Sequence, residues 1–319
     1  MANNRIPYID TAKTICIFLM VVGHWTSNEM LWTYIYSFHM PAFFVVSGFL
    51  YRSHSWIKTI ISFGIPVVFY SILNLFFLVL TQEIAINDVF TGAMFFRFFH
   101  YRYGLGEGLF MGDWFIWALL ALRLFYGDIS FLGVLRKYYI YFALFAIVYM
   151  SFEDYLISVD SLFHGWYIGR ALPSMPFLCF GFYLKERGWS PNTLSVSVII
   201  FLFVASILLP CINGGCSING NIYGLSYFVF LVNAIASTLF LFYISSRIGA
   251  NKHLAIISKG TLLILGLHMP ILKTLEMLFP IWTREFLPLL VLPLCYYPIK
   301  WLVKWCPELL GKIRWSIIR

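Results

Sequence analysis

Long apolar stretches alternate with short polar ones along nearly the whole chain, and their length decides what they form. A membrane-spanning helix needs about 20 mostly apolar residues, roughly 17–25. Ten stretches approach that length: 8–25, 34–51, 58–80, 114–126, 138–152, 167–184, 193–212, 223–244, 254–272 and 286–304. The fourth and fifth are short and borrow flanking residues. The pattern predicts an all-α, polytopic integral membrane protein with about ten transmembrane helices, forming one domain over residues 1–319 without an internal repeat or low-complexity linker. The longest connection, 81–113, exceeds ordinary loop length, and its run FTGAMFFRFFHYRY at 90–103 reads as an interfacial or re-entrant segment. Pro41, Pro66, Pro173, Pro176 and Pro270 fall where they would kink spans and free backbone carbonyls around a cavity.

Composition agrees with the pattern. Of 319 residues, 61% are hydrophobic and 11% charged, where soluble domains carry about 25% charged residues. A water-soluble fold of this make-up would expose more apolar surface than a monomer tolerates. Soluble enzymes, nucleic-acid binders and disordered regulators are excluded, and the lipid bilayer is the expected surrounding. The net charge of +8 matters through its distribution. With the N-terminus inside, seventeen Lys and Arg fall on the inner side, and four, Arg97, Arg102, Lys273 and Arg284, fall on the outer side. Arg170 lies within the membrane. Such a bias predicts both termini in the cytoplasm. Arg5, Asp10 and Lys13 near the start, with no small-residue cleavage site after the apolar run, argue against a cleavable signal peptide. Cys211 and Cys216 bracket CINGGC in an outer loop, a spacing that permits a disulfide in an oxidising compartment. No zinc or iron ligand spacing, phosphate-binding glycine loop or GxSxG elbow is present, so no metal site is expected.

Ionisable groups inside a membrane are costly and by default functional. In the ten-helix topology His24, His39, Arg170 and His268, from four separate helices, lie at one depth near the outer surface. Lys13 and His24 are eleven residues apart, three helical turns, so they share a face with a rise of ~16 Å between them. Asp10 is placed to pair with Lys13. It cannot orient His24 as a triad carboxylate, because fourteen residues of continuous helix separate the two by ~21 Å. A carboxylate partner for His24 would come from Glu29, Glu107 or Asp113. Trp114 and Trp166 fit an interfacial belt or a carbohydrate platform, and His100 and His164 read as loop residues.

The segments RIPYIDTAKTICIFLMVVGH (5–24), FHMPAFFVVSGF (38–49), GDWFIWALL (112–120), GRALPSMPFLCFG (169–181) and ISKGTLLILGLHMPIL (257–272) resemble, in order, the motifs of acyltransferase family 3. The compact length is most similar to the fucose 4-O-acetylase-like branch. The resemblance implies an integral-membrane O-acetyltransferase with acetyl-CoA as donor and no permanently bound cofactor. Its acceptor would be a sugar hydroxyl on an extracytoplasmic polysaccharide or lipid-linked glycan. It also implies His24 as general base and Lys13 in the family's basic position eleven residues earlier. Arg5, Asp10, His39, Lys58, Trp114, Arg170 and His268 complete the candidate donor and substrate contacts, with Arg170, His39 or His268 available to donate to the oxyanion. Ser62 stands where family members often carry a second basic residue after Lys58, leaving Arg52, Lys58 and Lys259 as looser candidates for the donor phosphates. The expected location is a bacterial inner membrane. The alternative is a transporter or flippase for a glycan. Missing inverted repeats and the basic-to-His track on one helix favour the enzyme.

Overall fold

The computed structural model describes residues 5–91, 94, 109–110, 112–128, 130–163, 166–280 and 284–313. Arg97, His100, Arg102, Glu107, His164 and most of the aromatic run at 90–103 lie outside the described residues. Each of the ten apolar stretches is helical over most of its length. The α-helices are α1 (Pro7–Trp25), α2 (Glu29–Tyr36), α3 (His39–Phe49), α4 (Trp56–Leu80), α5 (Asp113–Arg123), α6 (Tyr139–Ser151), α7 (Val159–Leu162), α8 (Ala171–Glu186), α9 (Val196–Asn213), α10 (Tyr227–Ile248), α11 (Lys252–Ile257), α12 (Thr261–Leu278) and α13 (Pro288–Trp305). Side chains of Asn28, Ser55, Ser195, Ser226 and Asn251 cap helix starts by accepting from backbone N–H groups. Gly249, at φ 74°, lets the chain leave α10. A two-residue antiparallel pair, Cys216–Ser217 with Ile222–Tyr223, follows α9.

Two compact units interleave along the chain. The first comprises 1–52, 138–153 and 173–259; the second comprises 53–137, 154–172 and 260–319. In the first, α1 packs against α3 and α10, and α9 packs on α10. Ten of the eleven residues of α3 are buried. It meets α8 backbone to backbone: a Cβ on Gly48 would lie 2.0 Å from the Leu178 carbonyl oxygen, and one on Gly181 would lie 2.1 Å from that of Val45. In the second unit α4 packs against α5 and α12, and α12 against α13.

Among the described residues six helical segments are long and apolar enough to cross a membrane: Trp56–Leu80, Val134–Ser151, Val196–Asn213, Tyr227–Ile248, Lys252–Leu278 and Arg284–Trp305. Their outward faces carry large apolar side chains such as Phe76, Tyr141 and Phe201, all exposed, the surface that lipid covers. Helix α1 is not one of the six, since Asp10, Lys13 and His24 interrupt its 19 residues.

Two sequence expectations change. The stretch 34–51 is not one helix, because the chain breaks between α2 and α3 at Ser37 and Phe38. Pro41 lacks the N–H that would bond the Ser37 carbonyl, so α3 starts at His39 with proline in its first turn, where a missing donor costs little. Cys211 and Cys216 are free thiols. Cys211 is exposed, whereas Cys216 is buried and accepts from the Asn213 side-chain amide at 3.2 Å. Burial pushes the Cys216 thiol up to about 11. Pro66, Pro176 and Pro270 sit inside helices, as expected.

Candidate functional site

The first unit holds two polar clusters at opposite ends of α1. At the N-terminal end Asp10 accepts from Arg5 at 2.8 Å and from the Ser258 hydroxyl at 2.6 Å. The Lys13 ammonium donates to the Ser258 carbonyl at 2.8 Å, and Arg5 donates to the Ala255 carbonyl at 3.1 Å. Thr14 adds a bond to the Leu254 carbonyl at 2.9 Å. The start of α1 is thus stitched to the end of α11 and to the turn after it. Lys259 lies within electrostatic range of Arg5 and Asp10. The expected neighbourhood of Asp10 and Lys13 therefore has a third member, Ser258, which binds both and which spacing along one helix could not reveal.

At the other end, His24 occupies the last turn of α1, half-buried. Its ring lies 5.9 Å from that of Tyr36, centroid to centroid, and Tyr36 lies 5.1 Å from His39. Trp32 stacks on Tyr36 at 4.4 Å with the rings 25° apart. Gly23 permits this approach of α1 to α2, since a Cβ there would stand 3.0 Å from both Ile35 Cγ2 and Tyr36 Cε2. His39 is 1% exposed, and its Nδ1 lies 2.7 Å from the Ile35 carbonyl oxygen. A carbonyl only accepts, so Nδ1 carries the proton and Nε2 of the neutral ring is an acceptor.

The second unit contains the remaining candidates. Arg170 is 1% exposed and donates to Asp160, ten residues earlier in the chain, at 2.7 Å. The short 3₁₀ helix Tyr167–Arg170 packs on α5 and α7. On α5, Trp114 is buried, and its backbone N–H donates to the Asp113 carboxylate at 2.6 Å. That burial is inconsistent with an open surface platform; Trp166, by contrast, is exposed. Lys58 sits half-buried in the first turn of α4. His268 is fully buried in α12, with Nδ1 3.1 Å and 3.0 Å from the Ile264 and Leu265 carbonyl oxygens.

Both histidines belong to the same tripeptide. His-Met-Pro occurs at 39–41 and again at 268–270, too short to register as a repeat, yet the surroundings match. Each Nδ1 donates to the carbonyl four residues back, and each proline frees the carbonyl four residues before it. An asparagine amide supplies the missing donor in both cases. Asn233 reaches Ser37 at 3.4 Å, and Asn74 reaches Gly266 at 2.9 Å while also bonding Leu109 at 2.7 Å. In a neutral ring the N–H of His39 and of His268 is held by a helix carbonyl, whereas the Arg170 guanidinium is a donor by its chemistry. Of the proposed carboxylate partners, Glu29 is an exposed residue at the start of α2, Asp113 belongs to the second unit, and Glu107 lies outside the described residues.

The acyltransferase domain family has a model that matches residues 6–301, most of the chain. No curated protein and no solved structure matches it.

Proposed function

Since the chain belongs to the acyltransferase domain family, acyltransferase family 3, and is a multi-pass integral membrane protein, we propose that it transfers an acetyl group from acetyl-CoA to a glycan hydroxyl. The observation that carries this reading is the division of α1 between a cationic cluster at one end and the His24, Tyr36 and His39 group at the other. About 16 Å of helix separates Lys13 from His24. In this reading both termini are cytoplasmic, and residues 1–319 act as one acyltransferase domain of a bacterial inner membrane. Acetyl-CoA, with Arg5, Lys13 and Lys259 offering charge to its phosphates, is the donor. A sugar hydroxyl on an extracytoplasmic or lipid-linked glycan is the acceptor. Lys58, Trp114, Arg170 and His268 of the second unit are proposed substrate contacts.

The chemistry is acyl transfer. His24 takes the proton of the acceptor hydroxyl as its oxygen attacks the thioester carbonyl; the C–S bond breaks, and the departing thiolate receives that proton from the imidazolium. Base assistance and donor placement supply the acceleration.

Purified protein, radiolabelled acetyl-CoA and a lipid-linked glycan test the reading. Acetylated product is expected, with turnover reduced about 10²–10⁴-fold in His24→Ala. Near-wild-type turnover in that variant would remove His24 as the base. Lys13→Ala is expected to weaken binding of a non-hydrolysable acetyl-CoA analogue, and undiminished affinity would remove its donor role. Glycan translocation without product would favour the transporter.

A further inference from the structure

The group around His24 contains one acceptor atom that acyl transfer does not use. Nδ1 of His39 is committed to the Ile35 carbonyl at 2.7 Å, while Nε2 makes no hydrogen bond among the described residues in a side chain only 1% exposed. The ring is flanked by Tyr36 at 5.1 Å and lies within electrostatic reach of His24. Beside it Trp32 and Tyr36 form a stacked, half-buried aromatic step. Gly215 steadies the indole: a Cβ there would stand 3.0 Å from Trp32 Cζ3. Two aromatic rings next to a lone hydrogen-bond acceptor suit a ring that is apolar on its faces and carries hydroxyl donors at its edge, which describes a pyranose. A monohydroxylic acceptor would spend its one hydroxyl on His24 and leave His39 unmatched.

We propose that Trp32, Tyr36 and His39 form the acceptor subsite, with His39 Nε2 accepting a hydrogen bond from a second hydroxyl of a sugar whose first hydroxyl faces His24. The inference rests on the acyl-transfer reading for the role of His24, but recognition of the sugar is measurable without turnover. The subsite selects polyhydroxylated rings over simple alcohols, because only the former satisfy both imidazoles.

The test is saturation-transfer NMR of methyl glycopyranosides, with cyclohexanol as the monohydroxylic probe, on the purified full-length protein. The wild type binds at least one glycoside more tightly than cyclohexanol. His39→Asn places an amide N–H where Nδ1 was, so it preserves the bond to Ile35 and deletes Nε2; glycoside affinity falls about ten- to a hundredfold, and the preference over cyclohexanol disappears. His39→Gln, which returns an acceptor oxygen near the Nε2 position, restores part of the preference. Trp32→Ala weakens glycoside binding while thermal unfolding stays close to wild type. Equal glycoside and cyclohexanol binding by the wild type, or unchanged preference in His39→Asn, overturns the subsite. Absence of acetyl-CoA turnover in a wild type that binds glycosides would instead overturn the acyl-transfer reading and leave the subsite standing.

Discussion

Helices α3 and α9 are both strongly apolar, yet they do opposite work. Ten of eleven residues of α3 are buried in protein, whereas only 28% of the most apolar window of α9 is buried and side chains such as Val196 and Phe201 face outward. Helix α9 is long enough to span a bilayer; α3, at about 16 Å, is not. In α9 high hydropathy over a long helix marks a surface that lipid covers, whereas in α3 it marks protein packing. The polar chemistry of the first unit sits on helices that this criterion passes over, α1 for its charges and α3 for its length.

The contrast should be sharpest where backbones touch. Gly48→Ala or Gly181→Ala puts a methyl group against a carbonyl that cannot move independently, and each is expected to cost ~3 kcal/mol or more, read as loss of monodisperse protein or a lowered unfolding midpoint. Gly64, in lipid-facing α4, has no neighbour within 4 Å of such a methyl. Gly64→Ala should be neutral or stabilise by about 0.5–1 kcal/mol. Comparable losses at all three glycines would break the distinction between packed and lipid-facing helices.

Next in size are the asparagines that compensate the two His-Met-Pro elements. Asn74→Leu deprives the Leu109 and Gly266 carbonyls of their donor, and Asn233→Leu deprives the Ser37 carbonyl. About 1–3 kcal/mol per site is expected, larger for Asn74, whose bonds are shorter. Denaturant titration of the two variants would check both the size and the order.

Smaller effects belong to the exposed faces. Phe76→Leu on α4 should change stability by no more than about 0.5 kcal/mol. The Glu83 and Lys273 pair, at 2.7 Å and well exposed, should contribute about 0.2–1 kcal/mol. The hydrogen bonds from Lys273 hold the Glu83 carboxyl below its ordinary range. A carboxyl with a lowered folded pKa stabilises above its unfolded value and loses that contribution as pH falls through the folded one. Glu83→Gln should therefore lower the unfolding midpoint slightly at pH 7 and not at all in strong acid, with the difference shrinking in high salt.

Much of the fold was legible because period and length are local properties. The positions of the apolar stretches, the polar residues on α1 and the placement of Pro66, Pro176 and Pro270 inside helices all follow from neighbours in sequence. His24, Lys13, Arg170 and His268 stood out because ionisable groups are conspicuous in an apolar chain. Their partners did not. Ser258, 248 residues from Asp10, and Asn74, 192 residues from Gly266, are ordinary polar residues until the chain folds. A proline two residues after each histidine was the available signal, since it announces a freed carbonyl that needs a donor. Which asparagine answers it, which imidazole nitrogen keeps the proton and which of two apolar helices is packed in protein are decided by contacts between distant segments. The sequence by itself determined a membrane chain with a polar first helix; only the tertiary structure decided what each polar group touches, because hydrogen bonds and burial depend on proximity in space rather than along the chain.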